Sequence, residues 1–133
     1  MKAIQYQVNS KLSMGDVIRV FNASGIIRPT QDAARIKQMF AQANLVVSAW
    51  HEGELVGVAR GLTDHSYCCY LSDLAVDKIY QRQGIGGALL EQVRQVLGPE
   101  VSLILLSAPE AMGYYPKVAF MHADNAFLIK RAR

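Results

Sequence analysis

The chain has 133 residues, 51% of them hydrophobic and 19% charged, which fits one domain with its own core and excludes a disordered segment. Its 14 Lys and Arg against 11 Asp and Glu leave a net charge of +3, and the excess is too small and scattered for a nucleic-acid-binding stripe, the terminal Lys130-Arg131-Ala132-Arg133 apart. No apolar run approaches membrane-spanning length, the N-terminus MKAIQYQVNSK lacks a signal-peptide core, and the adjacent Cys68 and Cys69 cannot pair without strain, so a cytoplasmic protein with no membrane or nucleic-acid partner is expected.

Residues 3–8 alternate weakly and predict a first strand. Met14, Val17, Ile18 and Phe21 then recur at helical spacing behind Ser13, a capping residue. Gly25 and Pro29 break that pattern, and Thr30 is expected to cap a second helix whose apolar stripe is Ala33, Ile36, Met39, Phe40 and Ala43. Residues 45–51 and 55–62 are β-rich runs on either side of Glu52-Gly53-Glu54, which predicts a hairpin, and residues 67–76 add a third run.

Residues 85–97 return to helical spacing and stop at Gly98-Pro99, and the apolar residues 101–106 predict a buried strand. Pro109 suits the first turn of a short helix running to about Lys117, and residues 120–130 predict a last strand around an Asp124-Asn125 turn. The order β-α-α-β-β-β-α-β-α-β predicts a single α/β domain over residues 1–133. Its antiparallel meander would be joined to a parallel pair through a strand-helix-strand unit.

The chemistry concentrates in Gln81-Arg82-Gln83-Gly84-Ile85-Gly86-Gly87-Ala88, which follows a strand and opens a helix. Unpaired amides and the positive helix end converge at such a place and favour phosphate. Glycines at 84, 86 and 87 remove side chains that would hold a pyrophosphate off the backbone, and Arg82 adds a charged donor. The Walker form is excluded by the missing lysine and Ser/Thr, and the dinucleotide fingerprint by its missing last glycine.

This stretch, behind the strand end Leu74-Ala75-Val76, resembles the GNAT superfamily of acetyl-CoA-dependent N-acetyltransferases. The family pattern Q/R-x-x-G-x-G/A is met by Gln81 to Gly86. A second family feature, an aromatic-Tyr pair followed by a small residue and Phe, resembles Tyr114-Tyr115 and Ala119-Phe120. The small residue is usually Gly, and Ala119 suggests a less tightly bent turn. The Asn that often follows the fifth strand is replaced within Leu106-Ser107-Ala108-Pro109.

The resemblance implies a mixed, mostly antiparallel sheet, with helices on both faces and its parallel pair splayed around acetyl-CoA as cosubstrate. Leu74, Ala75 and Val76 would meet the pantetheine arm, Gln81, Arg82, Gln83, Gly84, Ile85, Gly86, Gly87 and Ala88 the pyrophosphate, and Tyr115 would act as general acid toward the departing thiolate. The acceptor would be a small-molecule or peptide primary amine. A homodimer is compatible with the family. A non-catalytic CoA-binding or partner-binding module with the same fold is the alternative. For a general base the sequence offers Asp73 beside the cofactor strand and His51, Glu52 and Asp64 near hairpin ends, none singled out by spacing. The three histidines and two cysteines are too scattered for a metal site.

Overall fold

The structure is a computed structural model that describes residues 3–133; Met1 and Lys2, part of the expected domain, lie outside the described residues. Strand β1 (Gln5–Val8) is followed by helices α1 (Met14–Ser24) and α2 (Ala33–Gln42), strands β2 (Leu45–His51), β3 (Glu54–Thr63) and β4 (Cys68–Val76), helix α3 (Ile85–Leu97) and strand β5 (Ser102–Leu105). The sheet order is β1-β2-β3-β4-β5, antiparallel throughout except for the parallel β4–β5 pair that α3 connects.

The sheet is covered on both faces because strands that bury both sides read as continuous apolar runs. On one face α3 packs Ile85, Leu89, Leu90 and Val93 against Val47, Val56, Ala59 and Leu71. On the other, Val17, Val20 and Phe21 of α1 and Ile36 of α2 meet Val46, Leu55, Val58 and Ala75. Each of these larger side chains contributes about 1.5–3 kcal/mol by leaving water.

Most expected elements are present, with α1 running on to Ser24 and a left-handed Gly25 at φ 85°, but β5 lies at the sheet edge with exposed and half-buried residues and is not the buried strand expected of residues 101–106. Thr30 does not cap α2. Its hydroxyl donates to Asn22 Oδ1 at 2.8 Å, and the cap is Asp32, whose carboxylate accepts the Arg35 amide at 3.1 Å. The expected final helix and strand are also absent. Two short 3₁₀ turns, Pro109–Ala111 and Tyr115–Val118, replace the helix, because Pro109 and Pro116 supply no amide and Gly113 weakens the span between them. Residues 120–133 form no strand, since a strand needs a ladder and no described strand runs beside them. Phe127 and Ile129 are each 98% exposed.

Strand β4 carries the irregularity that shapes the site. Arg60 pairs with Asp73 but Gly61 pairs with Leu71, so Ser72 is an extra residue, a β-bulge. Cys69 and Leu71 before it, and Leu74 and Val76 after it, face α3, whereas Ala75 faces α1 and α2. The extra residue shifts the alternation and sends Asp73 to the α1–α2 side, where Arg28 and Arg60 meet it.

Candidate functional site

The ladder between the parallel strands is short: residues 68–71 of β4 pair with residues 102–105 of β5, and the pairing ends at Leu71 and Leu105. Beyond the bulge, Leu74, Ala75 and Val76 pair with β3 alone. The two strands part at Ser72, as the splayed-pair expectation requires, and leave a β4 edge able to bond an extended amide-bearing ligand.

The turn leaving β4 is built by side chains. The Asp77 carboxylate accepts the Ile79 amide at 3.0 Å, while its own amide donates to the Val56 carbonyl at 2.9 Å. His51 Nδ1 and the Tyr80 hydroxyl lie 2.8 Å apart, tying the β2–β3 hairpin to the turn. Gln81 donates its amide to the Val76 carbonyl at 2.8 Å and to the Ser24 carbonyl at 3.3 Å. Its side chain is thereby spent on joining β4 to the end of α1.

Arg82 and Gly84 both hold positive φ, 66° and 83°, and α3 starts at Gly84 with no side-chain cap and no acidic residue in its first turn. The Ala88 amide reaches the Gly84 carbonyl at 3.0 Å, whereas the amides of Ile85, Gly86 and Gly87 precede the first helical bond and have no partner among the described residues. Gln81, Arg82, Gln83 and Gly84 are exposed. Open donors, a positive helix end and an exposed guanidinium together suit a phosphate-bearing ligand.

Gly86 has a second role. A Cβ there would sit 2.9 Å from the Tyr114 hydroxyl, so this glycine also lets the turn after β5 dock on α3. Tyr115, the next residue, stacks edge-on between Tyr114 and Phe120, with centroid separations of 5.2 and 5.4 Å. Burial and the neighbouring Tyr114 push its phenol above the ordinary tyrosine value while the charge of Arg28 draws it back, so it is protonated at neutral pH. Ala119 takes φ 77° and its amide region closes the 3₁₀ turn onto Tyr115. The turn is therefore as tightly bent as glycine would make it, contrary to the looser bend expected of alanine, and alanine carries the strain.

Asp73 is fully buried, and both its oxygens are engaged: Arg28 Nε donates to Oδ1 and Arg60 Nε to Oδ2, each at 2.5 Å. A carboxylate sealed between two guanidiniums has no route to an amine's proton, so Asp73 is withdrawn as a base candidate. Asp64 is likewise committed. Its Oδ1 accepts the amides of Ser66, Tyr67 and Cys68 at 2.9, 2.8 and 3.2 Å, which hold its carboxyl below the usual range. His51 serves the Tyr80 contact and lies 3.5 Å from Glu52. Among the described residues no three His, Cys, Asp or Glu side chains gather as metal ligands would.

Sequence reasoning passed over the two arginines. Arg60 had a signal, since a lone charge inside the apolar run LVGVARGL must find a buried partner. It donates to Ser72 Oγ at 3.0 Å and Met39 O at 3.4 Å, with its guanidinium carbon 5.5 Å from the Phe40 ring centre. Arg28, in the connection between α1 and α2, had none.

Comparison with known proteins gives the same picture. Over 71 residues the chain is 37% identical to GCN5-related N-acetyltransferase 2, chloroplastic, of Arabidopsis thaliana, covering 52% of this chain and 28% of that protein. The chain thus spans under a third of that relative's length. In fold it is similar to a GNAT-family acetyltransferase of Streptococcus pneumoniae, with a TM-score of 0.75 at 21% identity over 97% of this chain and 99% of that one. An aminoglycoside N-acetyltransferase solved with CoA gives a TM-score of 0.75 at 13% identity, over 100% and 97% of the two chains. With the splayed parallel strands, the open start of α3 and a family model for the acetyltransferase (GNAT) domain matching residues 17–130, the chain belongs to the GNAT acetyltransferase family.

Proposed function

We propose that the protein, as a single domain over residues 1–133, transfers an acetyl group from acetyl-CoA to a primary amine by direct attack. The observation that carries this reading is the juxtaposition of three features. Uncapped amides open α3, β4 loses its β5 partner at the bulge, and a protonated Tyr115 stands on the turn after β5.

The residues present fit acetyl-CoA. The amides at the start of α3 and Arg82 would receive the pyrophosphate, with Gln81 acting through its fold-stabilising bonds, Gln83 through backbone only, and Ala88, whose amide is committed to Gly84, closing the first turn behind them. The edge of Leu74, Ala75 and Val76 would hydrogen-bond the pantetheine amides, which brings the thioester toward Tyr115. As the amine nitrogen bonds to the thioester carbon, a β4 amide at Ala75 or Val76 would meet the negative charge developing on oxygen. When the carbon–sulfur bond breaks, the Tyr115 hydroxyl gives its proton to sulfur and the amine's surplus proton leaves to water.

No carboxylate of the described site is placed as a base. The group formed by Arg28, Asp73 and Arg60 carries a net positive charge, which favours the neutral form of a nearby amine and so reduces the need for one. Cys68 and Cys69 are both free, which supports a reducing compartment. The cytoplasm is one, and the chloroplast, for which the Arabidopsis relative is named, is another.

A thiol-release assay over an amine panel tests the reading. Tyr115→Phe is expected to lower kcat by about 100-fold, within the usual range for a general acid, with acetyl-CoA affinity kept. Equal turnover by the Phe protein would remove Tyr115 from the chemistry. Tight acetyl-CoA binding with no thiol release from any amine would favour a binding module.

A further inference from the structure

We propose that Arg28 is a carboxylate-binding subsite for the acceptor, so that the preferred acceptors are small primary amines bearing a carboxylate, as in amino acids, and not polycations. The inference rests on the acetyl-transfer reading for where the acceptor sits. Its geometry stands independently.

A guanidinium has five N–H donors. In Arg28, Nε donates to Asp73 Oδ1 at 2.5 Å, Nη1 to the Ile27 carbonyl at 2.6 Å and Nη2 to the Ser72 carbonyl at 2.6 Å. One N–H on each terminal nitrogen is left over. A carboxylate that accepts from both terminal nitrogens takes the end-on form with two bonds. The side chain is held in place by the buried Asp73 yet remains 23% exposed, so it is pre-organised without being sealed, which lowers the ordering cost of a contact.

Charge points the same way. Asp73 is the only carboxylate paired with Arg28 among the described residues, and it is shared with Arg60. Two positive charges against one negative leave the group net positive, so it attracts an anionic acceptor and repels a polyamine or aminoglycoside. Location completes the case. Arg28 grips the Ser72 carbonyl at the bulge where β4 leaves β5, and its charge lowers the pKa of the Tyr115 phenol on the turn after β5. A carboxylate on the fork would set an amine a few bonds away between β4 and Tyr115.

The test compares amino acids with their methyl esters and amides as acceptors at saturating acetyl-CoA, for the wild-type protein, Arg28→Gln and Arg28→Lys. For wild type, kcat/KM for the free acid is expected to exceed that for the ester or amide by ten- to a hundredfold, the usual effect of a charge-assisted contact. The ester's amine is less basic and more often neutral, so its chemistry biases against this result. In Arg28→Gln the ratio should fall to about one, and Arg28→Lys, with charge but no fork, should lie between. Loss of packing alone would slow acid and ester together and leave the ratio unmoved. Arg28→Lys keeps the test open if Arg28→Gln does not fold.

Esters and amides acetylated as well as the acids by wild type, or a ratio that survives in Arg28→Gln, would overturn the subsite. If no acceptor releases thiol, calorimetry of N-acetyl amino acids against their methyl esters applies the same ratio to binding. Acid preference lost in Arg28→Gln would then uphold the subsite while the acetyl-transfer reading falls, and equal binding of the two would sink the subsite.

Discussion

Helices α1 and α2 begin differently from α3. Ser13 accepts the Asp16 amide at 3.2 Å, with Asp16 itself in the first turn, and Asp32 does the same for the Arg35 amide at 3.1 Å. Such caps stabilise a helix by about 1 kcal/mol each. Helix α3 opens on a left-handed glycine with no side-chain cap and no acidic residue, and forgoes that stabilisation. The difference teaches what each end is for: two are finished by their own sequence, and the third is left for an anion to finish.

Closing the open end is the strongest way to break this contrast. Gly84→Asp would place a carboxylate where the pyrophosphate is proposed to rest, and Asp tolerates left-handed backbone better than most residues. Acetyl-CoA affinity measured by calorimetry is expected to fall roughly a hundredfold, about 2.7 kcal/mol, with the fold kept. Unchanged affinity would show that the end of α3 is not the binding place.

The converse change acts on a finished end. Ser13→Ala should cost about 1 kcal/mol of stability in urea unfolding while acetyl-CoA affinity stays within error, and a marked loss of affinity would blur the division between sealed and open ends. The smallest effect sharpens the comparison from across the opening. Ala119 holds φ 77°, a conformation that strains alanine by about 1–2 kcal/mol. Glycine relieves that strain but loses more entropy on folding, about 0.5–1 kcal/mol. Ala119→Gly should therefore raise unfolding free energy by about 0.5–1 kcal/mol, and a fall would mean that the Ala119 methyl packs usefully.

Much of this was legible in the chain. Apolar spacing gave the limits of α3 to the residue, and the glycines at 84, 86 and 87 marked its open start. Reasoning from local pattern failed where helix breakers were given too little weight and where the cause was distant. The strand-like residues 120–130 met no edge to pair with, and Pro109, Gly113 and Pro116 together reduced a helix to 3₁₀ turns. The role of Gly86 beside Tyr114 depends on residues 28 positions apart in the chain. Asp73 invited a chemical role because its neighbours Arg28 and Arg60 are 45 and 13 positions away, and only the fold brings their charges onto it.

The bulge at Ser72 fixes more than the parting of two strands. Were β4 to run through this point in plain two-residue repetition from Leu71, with no bulge, Asp73 would swing toward the oily flank packed by Leu89 and Val93. Both guanidiniums would be orphaned in the same stroke. The one extra residue in this segment is thus a spacing rule for the whole acyl-transfer end, and natural length changes should collect in the exposed tail while sparing β4.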